Sequence, residues 1–192
     1  MRNGKKRAAS LLLVLAMLAG VLAGCSNSSS GGGGGNSDDG GAKDSIVIAT
    51  ANETPSLSPT EHNAVAGSYM NLLTYNTLFK SDMEMNPVPD LVEDYQNVSE
   101  SEWEFTIKTG VKFHDGSEMT VEDVKASLEW AKTFPEVSLY NSDIVSVDIV
   151  DDDTIKITTP GPDAMLLNNL CHHGNAIVPK ALIDSGHDFN TE

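Results

Sequence analysis

The sequence predicts a mixed α/β domain, and three observations carry that expectation. Trp103, Phe105 and Ile107 alternate with Glu104, Thr106 and Lys108, the pattern of a half-buried strand. Residues 120–132 place Val121, Val124, Leu128 and Ala131 on one helical face, behind Thr120 and Asp123 as a capping box with Asp in place of the preferred Glu. Two strand-like stretches, 143–150 and 154–158, flank Asp151-Asp152-Asp153 and read as a β-hairpin, which argues against a purely parallel sheet.

The elements follow in order along the chain. Residues 1–24 read as a signal peptide, because a basic start (Arg2, Lys5, Lys6, Arg7) precedes a short uncharged apolar run that ends in small residues. Residues 25–43 are low in complexity and rich in Gly and Ser. Such a chain cannot bury enough apolar area to offset its entropy, and about 18 residues of it span roughly 24 Å as a coil. The folded part is placed at 44–192. Residues 46–50, Ile-Val-Ile-Ala-Thr, suggest a buried strand that runs into a loop held extended by Pro55 and Pro59. A helix is expected over 64–73, with 75–79 continuing it or turning into a strand. A loop follows at 86–89, a short turn at 91–95, a tight turn at 114–117, a short helix at 164–170, and a short strand at Ile177-Val178 stopped by Pro179.

Charge and cysteine usage exclude several function classes. The 192 residues carry 28 acidic and 12 basic side chains, a net charge of −16. Four of the basic residues and none of the acids lie in 1–24, so loss of that segment leaves eight basic residues against 28 acidic, or −20. Nucleic acid is excluded as a partner, since neutralising phosphates needs clustered Lys and Arg. The same deficit excludes a polybasic membrane patch. Cys25 and Cys171 are the two cysteines. Cys171 is the one cysteine of residues 44–192, so no disulfide is expected within that part of the chain.

Two resemblances sharpen this reading. Leu22-Ala23-Gly24-Cys25 resembles the lipobox of bacterial lipoproteins, which implies a lipidated Cys25 and attachment to the extracytoplasmic face of the cell membrane. Five ordered segments carry the second: Tyr75-Asn76-Thr77-Leu78-Phe79, 89–95 (PDLVEDY), 103–108 (WEFTIK), 110–116 (GVKFHDG), and Thr120-Val121-Glu122-Asp123-Val124. They resemble solute-binding protein family 5, the peptide- and nickel-binding lipoproteins of ABC importers, over about 44–192. The resemblance implies a periplasmic-binding-protein-like fold of type II, peptide-binding class, with a mixed sheet. Members of that family run to two or three times this length, with two lobes closing on the ligand. Residues 44–192 would then be a portion of the first lobe, expected to bind weakly by itself.

The function implied is capture of an oligopeptide, dipeptide or similar solute for an ABC permease and its ATPase, with the membrane reached through the lipid. Ligand contacts are expected from Thr54, Pro55, Ser56, Leu57 and Ser58 and from His172, His173 and Gly174, the two loops at which relatives approach the cleft. No cofactor is expected. Cys171-His172-His173 has residue types that suit Zn or Ni, but adjacent residues cannot easily ligate one ion together, so no protein metal site is expected. No phosphate loop or nucleophile elbow is present, and His114-Asp115 reads as part of a turn, so the chain is not read as an enzyme. Three other readings stay open: a ligand sensor with the same fold, a surface scaffold, and a secreted metal-dependent hydrolase using His114, Cys171, His172 and His173.

Overall fold

A computed structural model describes residues 46–191. The expected signal peptide, the lipidated Cys25 and the tether lie outside the described residues. The elements are α1 (Val65–Thr74), β1 (Phe79–Ser81), β2 (Pro87–Pro89), β3 (Val92–Ser99), β4 (Glu102–Ile107), α2 (Val121–Ala131), a 3-10 turn (Ser138–Tyr140), β5 (Ser146–Ile149), β6 (Thr154–Thr158), α3 (Leu166–Asn169), a second 3-10 turn (His173–Asn175) and α4 (Lys180–Ser185).

Strands β3 to β6 form one antiparallel sheet in the order β3-β4-β6-β5, and β1 pairs with β2 separately. Pairing of Tyr95 with Phe105, and of Trp103 with Ile157, puts every second residue of the central strands on one face. There the rings of Tyr95, Trp103 and Phe105 stack at 6.3 Å, and Phe79 meets Phe105 edge-on at 5.9 Å. Opposite-sense alternation leaves Glu102, Glu104 and Lys156 outside, with Lys156 Nζ 3.1 Å from Glu102.

Helix α2 covers the apolar face with Val121, Val124, Leu128 and Ala131, all buried. Thr120 and Asp123 form the expected capping box, in which Asp123 Oδ2 accepts from Thr120 N–H at 2.8 Å. The shorter Asp leaves its second oxygen free, and Oδ1 accepts the N–H of Lys180 at 2.7 Å, so one carboxylate also anchors the start of α4. Ser127 is buried on the same helix. Its hydroxyl donates to Val178 C=O at 3.1 Å and accepts the Val178 N–H at 3.0 Å. On the other side, Lys125 and Lys132 donate to the carbonyls of Val147 and Ile144.

Several elements differ from expectation, each for a local reason. Residues 46–50 form no strand and are exposed; among the described residues nothing pairs with them, and an unpaired strand must leave its backbone groups to water. The turn expected at 91–95 is the start of β3, because pairing with β4 outweighs the local Asp signal. The loop at 86–89 contains β2, a three-residue edge on which prolines are tolerated. Ile177-Val178 is extended but joins no sheet: Ile177 N–H goes to Asn76 C=O at 2.9 Å, and Ser127 satisfies Val178. Pro179, read as a stop, instead precedes α4, where a missing N–H costs nothing. Gly186, with φ of 66°, then ends α4 in the left-handed conformation.

Helix α1 approaches its neighbours through Gly67. A Cβ built there would lie 2.2 Å from Cε1 of His62, so the ring occupies the space that any larger residue needs. Gly67→Ala should therefore destabilise by about 1–3 kcal/mol through overpacking. Gly161→Ala, where a Cβ would meet nothing within 4 Å, should stay within about 0.5 kcal/mol of the parent. Phe105→Ala, at a fully buried position, should lose about 3–5 kcal/mol. Urea midpoints for the three variants check all three values.

Candidate ligand-binding site

The loop at 54–58 spends most of its polar groups on itself and on the end of the chain. Ser56 Oγ lies 2.6 Å from Asn190 Oδ1 and 3.1 Å from Glu61 Oε2, and Leu57 N–H donates to Asn190 Oδ1 at 2.9 Å. Asn190 Nδ2 donates to Glu61 at 2.7 Å, which closes a small ring of bonds. Ser58 is buried, with its hydroxyl 3.2 Å from that of Thr60. Thr54 and Ser56 are half-buried, whereas Pro55 and Leu57 are exposed. The loop thus offers a solute mainly an apolar surface.

The second candidate segment is built differently. His62, His173, His172 and Tyr140 follow one another with ring centroids 4.9, 4.1 and 3.6 Å apart, the outer two pairs stacked and the middle pair tilted by 39°. His173 and Gly174 are buried; His172 is half-buried. Gly174 is required by packing, because a Cβ there would sit 2.6 Å from Val137. At the accessible end, His172 Nε2 is 3.2 Å from Asn63 Oδ1, and Asn63 Nδ2 donates to the Tyr140 hydroxyl at 3.3 Å. This edge of Asn63, Tyr140 and His172 presents amide, phenol and imidazole side by side.

Hydrogen bonding fixes His62 and His172 each in one neutral form. Ala64 N–H donates to His62 Nδ1 at 3.2 Å and Gly174 N–H donates to His172 Nδ1 at 3.0 Å, so both rings carry their proton on Nε2. For His62 that proton faces the Asn71 side chain at 3.0 Å, which must turn its oxygen toward the ring. His173 Nε2 is 3.3 Å from His62 C=O, and its Nδ1 lies 3.1 Å from Ser68 Oγ, whose own proton goes to Ala64 C=O at 3.1 Å, so both ring nitrogens of His173 face acceptors. Burial lowers the pKa of all three. It takes His172 down to about 3, with repulsion from His173 and His62 adding to the effect, while Glu61 partly offsets burial at His62.

The sequence named His172, His173 and Gly174, and the structure adds His62, Asn63, Ser68 and Tyr140 to them. Nothing in the spacing signals these partners, which lie 105 to 111 positions away or in a loop of ordinary composition. Thr54, Pro55, Ser56, Leu57 and Ser58 are tied to the cluster only through the chain that leads from Ser58 to His62.

The other candidates are separate. A cleft of about 280 Å³ is lined by Tyr75, Asn76, Phe113, Ile177 and Phe189 among others, and neither predicted loop lines it. His114 also borders that cleft, and no hydrogen bond joins it to Cys171, His172 or His173. Asp115 accepts from the Ser117 hydroxyl and backbone N–H, bonds that lower its pKa and fix the turn. Burial raises the pKa of the half-buried Cys171 thiol, which opposes nucleophilic use. Among the described residues no three His, Cys, Asp or Glu side chains converge as a metal site, and no helix is long and apolar enough to cross a membrane.

Comparison with known proteins agrees with this architecture. The family model for bacterial extracellular solute-binding proteins, family 5 Middle, matches residues 86–191, more than half of the chain. The glutathione-binding protein GsiB of Salmonella typhi is 34% identical over 155 residues, covering 77% of this chain and 30% of that protein. Among solved structures, PBP AgaA from A. tumefacien R10, in complex with agropinic acid, superposes with a TM-score of 0.66 at 26% identity, over 73% of this chain and 29% of that one. The oligopeptide-binding protein AppA from Bacillus subtilis, in complex with a nonapeptide, gives 0.60 at 25% identity, over 70% and 29%. The chain thus spans about 30% of the length of the curated relatives it matches. Its fold is a portion of the type II periplasmic-binding-protein architecture, and the chain belongs to family 5 of the bacterial extracellular solute-binding proteins.

Proposed function

We propose that this chain is the substrate-binding lipoprotein of an ABC importer, capturing a small peptide, glutathione or a similar solute outside the cytoplasm and delivering it to a permease driven by its ATPase. Family membership supports the general role. The observation that carries the site is the Asn63–Tyr140–His172 edge, an accessible row of neutral donors and acceptors beside aromatic faces. Such a row suits the amide groups of a peptide backbone, which need paired hydrogen bonds and no net charge. Leu57 and Pro55, the exposed residues of the 54–58 loop, would add apolar contact. His173 and Gly174 act from beneath, by holding His172 in place.

Residues 1–24 are the export signal in this reading, Cys25 is the lipidated N-terminus, and 25–43 tether the binding domain of 44–192 to the outer face of the membrane. Two or more acyl chains hold firmly where one would not, at about 0.8 kcal/mol per buried CH₂.

Two measurements test these assignments. Growth of the expressing bacterium with an alkyne-tagged fatty acid should label the wild-type chain and leave Cys25→Ser unlabelled; equal labelling of both would exclude lipidation at Cys25. For the site, NMR titration with glutathione and with a tripeptide should perturb the signals of Asn63, Tyr140 and His172. A dissociation constant on the order of 1 mM, about 4 kcal/mol of binding free energy, suffices for detection. Tyr140→Ala should weaken binding at least about fivefold; perturbation confined to the cleft around Tyr75 and Phe113 would move the site there.

A further inference from the structure

His62 and His172 each have both ring nitrogens committed in one protonation state. They receive backbone N–H groups at Nδ1, from Ala64 and Gly174, whereas His173 Nδ1 faces Ser68 Oγ, whose proton goes to Ala64 C=O. A second proton on His62 or His172 would point at an amide hydrogen that the chain cannot turn away, because Ala64 precedes α1 and Gly174 is packed against Val137. A proton on His173 could be accepted by the hydroxyl, but it would put a charge between two other rings, 3% exposed to water. The arrangement is stable only while His62 and His172 are neutral.

The same rings join parts of the chain distant in sequence. His62 ends the segment that leads out of the Thr54–Ser58 loop, Ser68 and Asn71 belong to α1, and His172 caps the second 3-10 turn that His173 opens. By contrast, the core between the sheet and α2 is built from apolar side chains and contains no histidine. Protonation therefore strikes one contact of the fold and leaves the main core untouched.

We propose that the stacked rings of His62, His173 and His172 form an acid-released clasp, in which proton uptake at Nδ1 separates the 58–64 segment and α1 from the turn at His173–Asn175 and takes apart the Asn63–Tyr140–His172 edge. The groups that face the stack are few. From the 58–64 segment comes the Glu61 carboxylate, which favours a charged His62. Helix α1 presents Ser68 and Asn71, both neutral. The Ser138–Tyr140 turn presents the Tyr140 phenol on His172, and the His173–Asn175 turn presents only its own imidazole and backbone. No Lys or Arg bonds to the stack among the described residues.

The sign follows from linkage. The folded rings bind protons less readily than free imidazoles, whose ordinary value is 6.5. The clasp is then at full strength above that pH and weakens as pH falls below it, toward the value of about 3 held by His172.

The test is histidine side-chain NMR on the full chain from pH 7.5 to 4, with amide hydrogen exchange measured in parallel. At pH 7.5 His62 and His172 should show the Nε2–H neutral form. Between pH 7 and 4.5 the opening equilibrium read at the amides of Ala64 and Gly174 should rise at least about tenfold, after correction for intrinsic exchange, while amides of β4 and β6 keep their protection. The double variant His62→Asn, His172→Asn places an amide oxygen near each Nδ1 position and removes both protons, so its opening should change less than about threefold over the same range. Rings that titrate near 6.5 with unchanged protection would overturn the clasp. Loss of protection in β4 and β6 at the same pH would overturn it too, since the acid response would then be global.

Discussion

Everything in the described fold depends on the burial of one apolar sheet face beneath α2. A four-stranded antiparallel sheet with one apolar side needs a cover, and α2 supplies it with four side chains on successive turns. Because that helix is pinned on the sheet side by Lys125 and Lys132, its opposite side is held in a defined place. Asp123 and Ser127 use that place to receive the chain at 178–180. The turn at His173–Asn175 immediately precedes this attachment, so the candidate edge inherits its position from the core through two polar contacts.

The resulting site is electrically plain within a very acidic chain. The charges lie on surfaces and turns, among them Asp82 and Asp151, whose hydrogen bonds from neighbouring backbone and hydroxyl groups lower their pKa values. At the ring stack the protein instead aligns imidazole, amide, hydroxyl and phenol groups in mutual hydrogen bonds. A net charge of −16 therefore carries little information about the solute, because discrimination at such an edge rests on hydrogen-bond geometry and ring contact.

Much of the fold could be read from the residues alone wherever periodicity was sustained. The alternation through Trp103, Phe105 and Ile107 and the helical spacing from Val121 to Ala131 correspond to β4 and α2, and the three aspartates do mark a hairpin between β5 and β6. Legibility failed where non-local partners decide. Residues 46–50 have strand composition without a strand, Ile177-Val178 is satisfied by a serine and an asparagine carbonyl, and the prolines of β2 hide an edge pairing. The site was half legible. His172 and His173 stood out as adjacent imidazoles, but their meaning comes from His62, Ser68 and Tyr140, and no local pattern announces which distant side chains a buried ring will meet.

The contact between Gly67 and His62 extends to related sequences. With the ring atoms filling the space where a Cβ would stand, positions 62 and 67 share a single volume, and what one gains the other must give up. Members of the family with a bulkier residue at the position of Gly67 would accordingly carry a smaller one opposite it. In them, α1 would rest on a different packing unit, and the stacked rings would have lost their first member.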